Sequence, residues 1–434
     1  MKGISDRRYA YAVDLGSTTI DTAIVEIETE KRLTERSFKN RQSLYGSDVI
    51  NRILAASRDK KKLASMKTMV SDDLRENASE MLKALSLKQD DIKKICICGN
   101  ATMISILLEY DIESMGHAPF DTRLHESVQC ASDLLFADDF FCGAQLFLTG
   151  TASAFIGGDV LAGMAYIEKK LINDCQNECA MNCQNEHAIE CKNKHDIEYK
   201  NKHDLEYKNE HAIEHKKDNM VCLRKIKNWM LLDLGTNGEM VLCSEGKYFA
   251  TSASCGPAFE GSLRRQHVYG SGALSAIALG VKTKNILKNG ALKPPFDEKG
   301  ITISNVRLNS DIIRDIILAK AAIRTGIDFL LDEAGMDADR LDAVFLAGGF
   351  GFYLDLDAAY YLGLLPKTFD DKVIVIGNSS LAGACCICKD TCFLGLIDDY
   401  IVNNKIKVLQ LADKKNYQEA LMENTYAAEN NMKF

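Results

Sequence analysis

A short apolar strand that occurs twice, each time running into the same acidic turn, sets the strongest limit on how this chain can fold. Residues 9–15 carry Asp14 near their end and are followed by Gly16, Ser17, Thr18 and Thr19, then by a second β-rich run over 20–27. Residues 229–234 repeat the pattern with Asp233 in the matching place, followed by Gly235, Thr236, Asn237 and Gly238 and a return strand over 240–243. Strand, Asp-Leu-Gly-(Ser/Thr) turn and return strand together read as a hairpin. Two matching hairpins in the two halves of a 434-residue chain predict a duplicated domain that faces its copy across a cleft. At roughly 100 to 200 residues per domain, the length allows two such lobes and an insertion.

Around the hairpins, strands alternate with helices. Strands are expected at 92–98, 145–148, 343–346 and 373–376. Helices are expected from Thr102, over 152–167 and over 310–335, the last with Ile312, Ile313, Ile316 and Ile317 at helical spacing. Alternation of this kind predicts an α/β protein in layers. From Cys175 an eight-residue unit recurs five times before His215. Eight residues at 100° each overshoot two helical turns by about 80°, so equivalent positions would spiral and present no continuous apolar face. The repeat over 175–215 is therefore expected as a solvated insertion that builds no core. Predicted boundaries are a first lobe over 1–170, the insertion over 171–220, a second lobe over 221–384, and a C-terminal segment over 385–434 that returns to the first lobe.

With 53 basic against 61 acidic residues the formal charge is -8, which removes any general electrostatic reason to hold nucleic acid or an acidic membrane. No run reaches the 18 or so apolar residues of a spanning helix, and the start of the chain lacks the long apolar core of a signal peptide, so a cytoplasmic location is expected. The fifteen cysteines then read as buried thiols, metal ligands or redox groups rather than as disulfides. Cys96 and Cys98 alternate with isoleucines in a strand, and Cys385, Cys388 and Cys392 share one helical face that Cys386 breaks; both groups are expected to pack in the core, an iron-sulfur cluster on the four thiols over 385–392 being the alternative. Cys175, Cys179 and Cys183 belong to the repeat, whose later units carry His187, Tyr199, Tyr207 and His215 in their places, so drift explains them better than metal binding. Cys255, beside the expected cleft, is read as packing, with a redox role as the alternative.

Aspartate at the carboxyl end of a strand, followed by a glycine-containing, hydroxyl-rich turn, suits a nucleotide triphosphate. Glycine lets the backbone approach closely, and successive N–H groups with Ser17, Thr18, Thr19, Thr236 and Asn237 can cradle phosphate oxygens. Magnesium keeps several waters and is usually held by one or two carboxylates plus phosphates, which makes Asp14 and Asp233 the candidate pair for Mg²⁺. The run Gly348-Gly349-Phe350-Gly351 follows a strand, where glycines allow a purine or its ribose to lie against backbone or allow close strand-to-helix packing. Gly377-Asn378 with Gly383-Ala384 reads as close packing at an interdomain hinge.

The ordered set of Asp14 to Thr19, Gly157-Gly158-Asp159, Asp233 to Glu239, Gly256 to Gly261, Leu346 to Gly351 and Gly377-Asn378 resembles the ASKHA superfamily of sugar kinases, actins and chaperone ATPases. Within it the chain is similar to the ATP-binding part of the reductive activators of corrinoid proteins. Gly99-Asn100-Ala101-Thr102-Met103, Ala319-Lys320-Ala321-Ala322 and Gly363-Leu364-Leu365-Pro366 carry that narrower likeness. The resemblance implies a duplicated actin-like, ribonuclease H-like fold, with two lobes around a nucleotide cleft that binds ATP and Mg²⁺. It implies phosphate segments at Asp14 to Thr19 and Asp233 to Gly238, an adenosine segment at Gly348 to Gly351, and interdomain connections near Asp159 and Gly377. Asp159 or Glu239 would place the attacking water as a general base, a helix cap or hinge ion pair being the alternative role.

Activity by resemblance is ATP-driven support for returning a Co(II) corrinoid protein to Co(I). The family's plant-type [2Fe-2S] domain would precede the ATPase, yet no Cys-x₄-Cys-x₂-Cys spacing occurs in this sequence, so the electron is expected from a separate donor. Ser105 stands where relatives tend to carry histidine. A small-molecule kinase acting on a sugar or carboxylate, and a nucleotide-dependent binding module without catalysis, are the competing readings.

Overall fold

The computed structural model describes residues 8–46, 48–136, 140–174, 226–235, 237–255 and 270–426. The repeat from Cys175 onward, Thr236 and the Gly256 to Gly261 motif lie outside the described residues.

Each half contains one six-stranded sheet. In the first, β1 (Tyr9–Leu15), β2 (Thr19–Glu26) and β3 (Arg32–Lys39) form an antiparallel meander. Parallel to β1 runs β4 (Ile92–Gly99), followed by β6 (Gln145–Leu148) and the antiparallel edge β5 (Val128–Ala131), giving the order β3-β2-β1-β4-β6-β5. In the second, β7 (Asn228–Leu234), β8 (Asn237–Ser244) and β9 (Lys247–Ser254) repeat the meander. After the small ribbon of β10 (Ile301–Ile303) and β11 (Val306–Leu308), β12 (Ala343–Ala347) lies parallel to β7 and β13 (Val373–Gly377) parallel to β12. With β14 (Ile406–Val408) on the outer edge the order is β13-β12-β7-β8-β9-β14. Removing β5 and β14 leaves the same five-strand order twice.

The central strands β1 and β7 are buried along most of their length because both faces of each sheet are covered, with Asp14 and Asp233 the half-buried acidic exceptions near their ends. Helices Val49–Arg58 and Lys60–Leu85 pack Ile53, Val70, Leu74 and Met81 on the outer face of the first sheet. On the second, helices Gly270–Lys282 and Ser310–Ala334 bury Leu274, Ile277, Ile316 and Ile323 against Met230, Leu232 and Leu346. The Ser310–Ala334 helix has clear stops: Asn309 accepts a hydrogen bond from the Ile312 N–H at 2.8 Å, and Gly335 ends it at φ 62°.

Between the sheets lie the two crossing helices. Gly158–Tyr166 leaves the first sheet after β6 and packs its Leu161, Met164 and Ala165 in one core with Trp229, Leu231 and Phe345 of the second. Ser379–Lys389 leaves β13 of the second sheet and packs on β1 and β4 of the first. They cross with their backbones touching: a Cβ on Gly383 would sit 2.4 Å from the Ala162 carbonyl oxygen, so only glycine fits there. The C-terminal ends of both crossings are drawn together by Glu30, in the β2–β3 turn, through Lys170 at 2.6 Å and Lys389 at 2.7 Å.

Four expectations differ. The helix expected over 152–167 begins only at Gly158, because the Ser153 hydroxyl accepts hydrogen bonds from the N–H groups of Phe155 (3.2 Å) and Ile156 (3.0 Å) and holds a loop. It continues past Tyr166 as a π-helical turn, Ile167–Asp174. Cys386 was expected off the buried face, but it is buried with Cys385 and Cys388, since the crossing helix is enclosed on all sides. Cys392, expected on the same face, is exposed in the next helix, Cys392–Val402. The stretch over 385–434 divides between lobes: the crossing helix reaches the first sheet, whereas β14 and helix Tyr417–Glu423 belong to the second. Buried Lys320 fixes that end, donating to the carbonyls of Leu362 and Tyr426 at 2.7 Å each.

Candidate functional site

The two hairpin turns open on one cleft of about 420 Å³, within the range of small-molecule sites. Asp14, Gly16, Ser17, Thr18 and Thr19 line it from the first lobe, and Asp233, Gly235, Asn237 and Glu239 from the second. Gly348, Gly349 and Phe350 close one side; Asp159, at the start of one crossing helix, and Asn378, at the start of the other, reach it from below. Gly348 has φ 80°, and a Cβ there would lie 2.5 Å from the Leu234 carbonyl oxygen and 2.6 Å from Asp233 Oδ1. Glycine is thus required to let this wall meet the second hairpin.

Of the residues singled out in the sequence, Gly238, Gly351 and Gly377 do not line the cleft. Gly238 makes room for Ile323 and Cys255 behind the turn, Gly351 packs over Leu346, and Gly377 turns the chain from β13 into the crossing helix at φ 71°. The structure adds residues that the motifs did not mark. Asp21 lies directly opposite Asp14 in the β1–β2 register, as Glu239 lies opposite Asp233 in β7–β8. Ser271, Tyr353 and Ser380 also line the cleft, as does Asn100 of the Gly99 to Met103 run. Strand pairing would have revealed Asp21, since the residue facing the turn aspartate is acidic in both hairpins.

Five carboxyl groups, Asp14, Asp21, Asp159, Asp233 and Glu239, therefore line one small cleft. Burial, then the charges of Asp21 and Asp159, pushes Asp14 up to about 7, although Asn378 and Ser380 donate to it. Burial and the Asp14 charge push Asp233 up to about 7, and burial with the Asp233 charge does the same to Asp159. Glu239 is raised by burial and by Asp159 and Asp233, and Asp21 by burial. Like charges held together without a counterion favour the protonated forms, so this is a site suited to a cation. Among the described residues no three His, Cys, Asp or Glu side chains converge to ligate a metal by themselves. The donor set instead fits a hard cation that keeps waters and takes part of its shell from phosphate.

The thiols do not compete for that role. The described cysteines are free. Burial holds Cys96, Cys98's neighbour on β4 and in contact with Cys388, well above the usual thiol range, and burial pushes Cys255 up as well, so these sulfurs stay protonated and packed. Ser105 is buried and donates to the Ala101 carbonyl at 2.8 Å within its own helix. Among the described residues no helix is long and apolar enough to cross a membrane.

Duplicated sheets, two crossing helices and an acidic cleft between the lobes define the actin-like class of ATPase and kinase folds. Family comparison narrows it: residues 9–170 match the RACo middle region, and 227–275 with 263–434 match the C-terminal domain of RACo, the ASKHA domain. The chain belongs to this family of corrinoid reductive activators. It is 26% identical to the corrinoid activation enzyme RamQ of Eubacterium limosum, an alignment covering 87% of this chain and 63% of that protein. It is 19% identical to the [Co(II) methylated amine-specific corrinoid protein] reductase of Methanosarcina barkeri, over 86% of this chain and 68% of that one. The chain thus spans a little under two thirds of the length of RamQ. Among solved structures, a reductive activator for corrinoid, iron-sulfur protein superposes with a TM-score of 0.76 at 20% identity, over 98% of this chain and 67% of the other.

Proposed function

We propose that the protein binds Mg-ATP between its lobes and hydrolyses it to support the reductive return of a Co(II) corrinoid protein to Co(I), with electrons supplied by a separate protein. The observation that carries the reading is the pair of mirrored acidic hairpins opening on one cleft, in a chain whose relatives are named for corrinoid activation. Asp14 and Asp233 would hold Mg²⁺ through its waters, and Gly16 to Thr19 with Gly235 to Asn237 would receive the phosphates. Bound magnesium would neutralise charge that develops on the transferring phosphoryl group. Gly348 to Phe350 would receive the nucleoside. Asp159 and Glu239 are the candidate bases for the attacking water: both face the cleft, and burial with the Asp233 charge holds Asp159 up to about 7, where a carboxyl group can exchange a proton near neutral pH. Low-potential electron transfer is uphill, and closure of the lobes on nucleotide supplies the differential binding needed to favour a transfer-competent complex.

The test is ATP turnover with and without a Co(II) corrinoid protein and a reductant. Slow basal turnover that rises on adding the partner, with recovery of the Co(I) absorption, is expected; turnover indifferent to the partner would remove the activator role.

A further inference from the structure

Three consecutive residues at the start of the crossing helix Ser379–Lys389 hydrogen-bond the acidic residues of both lobes. Asn378 Nδ2 donates to Asp14 Oδ2 at 2.8 Å and to Asp21 Oδ2 at 3.0 Å, while its Oδ1 accepts from the Leu381 N–H at 2.8 Å and caps the helix. Ser380 Oγ donates to Asp14 Oδ1 at 2.8 Å. Ser379 Oγ points the other way, 3.5 Å from Asp233 Oδ2 on the second lobe. Both serines are buried, and neither hydroxyl is used as the helix cap. With the cap already supplied by Asn378, the hydroxyls of both serines are directed at carboxylates instead.

We propose that Asn378, Ser379 and Ser380 are positioning residues that couple the two lobes: they orient Asp14 and Asp233 for the cation and tie both to one end of a single helix. This deepens the Mg-ATP reading and rests on it. Asp14, which lines the cleft, has a donor on each of its two oxygens. Asp233 has one longer contact, so drawing it towards a bound cation shifts its distance to Ser379 and loads the helix. At its other end that helix is held by Lys389 on Glu30, and along its length by Gly383 against Ala162, so a load at the cleft passes to the crossing. Groups acting behind a ligand usually change metal affinity more than fold stability.

The experiment titrates magnesium into the full chain with a fluorescent ATP analogue, and records thermal melts of each variant. Ser380→Ala is expected to raise the magnesium concentration at half-saturation roughly ten-fold, with nucleotide uptake in excess chelator unchanged. Ser379→Ala is expected to act less, and Ser380→Thr, which keeps the hydroxyl, to restore most of the affinity. In the double alanine variant the two effects are expected not to multiply, because both run through one helix end. Asn378→Ser keeps a capping oxygen but cannot span both carboxylates, and serves if an alanine variant fails to fold. An unshifted magnesium midpoint in a folded Ser380→Ala or Asn378→Ser variant, with wild type binding normally, overturns the coupling alone. Absence of any magnesium-dependent uptake by wild type overturns the cleft reading and the coupling with it.

Discussion

The two hairpins share a register and differ in how they are held. Asp14 pairs with Asp21 and Asp233 with Glu239, and the parent strands have the same alternation of buried and half-buried positions. The turns differ by a residue: Leu15 pairs with Ile20 around Gly16 to Thr19, whereas Leu234 pairs with Gly238 around Gly235 to Asn237. Restraint differs too. Asp14 accepts two hydrogen bonds at 2.8 Å, Asp233 one at 3.5 Å. Duplication has thus preserved where a carboxylate stands on its strand, because sheet register dictates that, while the side chains that hold it have diverged. The first lobe presents a fixed acid and the second a less constrained one, an arrangement suited to a cleft that tightens from one side.

If the mirror is functional, Asp14→Asn and Asp233→Asn should each lower ATP turnover roughly 10²- to 10³-fold, the usual effect of deleting a preorganised electrostatic group. Steady-state phosphate release measures both. A loss confined to one of them would break the equivalence. Next in size are the glycines that cover the two turns. A Cβ on Gly99 would come within 2.7 Å of the Leu15 carbonyl oxygen, and one on Gly348 within 2.5 Å of Leu234 O. Only Gly348 also has positive φ, 80°. Gly348→Ala should therefore cost more stability than Gly99→Ala, by roughly 1–2 kcal/mol of left-handed strain, read from paired denaturant midpoints.

How far the sequence revealed this site follows from the same physics. The two hairpins, their acidic turns and the positions of the strands were legible because strand periodicity and turn chemistry are local, whereas the order of the strands in each sheet is set by long-range pairing. The adenosine-side glycines were half legible: Gly348 and Gly349 line the cleft, but Gly351 packs over Leu346, and no local signal separates the two uses of glycine. Asp21 was hidden because the unequal turns put it seven residues after Asp14 but Glu239 six after Asp233, so an alignment by offset misses what register makes plain. Ser379 and Ser380 were hidden more deeply: their partners are 146 and 366 residues away, and only the crossing of the helix brings them together.

A smaller effect sharpens the comparison through pH. Asp14 and Asp233 have ordinary unfolded values near 3.8 and folded values of about 7. The folded state then holds more protons on these two groups between those limits, so the stability they contribute in the absence of metal is fully present below about pH 4 and is lost as pH rises to about 7. Chemical denaturation in chelator across that interval should show the decline, and Asp14→Asn and Asp233→Asn should flatten it to similar extents. Magnesium with nucleotide should stabilise the protein more at pH 8 than at pH 5. An opposite order would mean that the carboxyl groups are not what the ligand binds.

The smallest expected effect concerns the far turn of the first lobe. Glu30 holds Lys170, just past one crossing helix, and Lys389, the last residue of the other, so the β2–β3 hairpin grips both crossings at the end away from the cleft. These side chains are partly exposed, at 23% for Glu30, 27% for Lys170 and 44% for Lys389, and screening limits what the pairs contribute. Glu30→Gln should lower stability by no more than roughly 1 kcal/mol, less in high salt, with phosphate release nearly unchanged if the clasp only anchors the helices. A large change in turnover with little change in melting would instead make the first lobe's distal turn part of the closing motion, and would extend the asymmetry between the lobes from the cleft to the far end of the crossing.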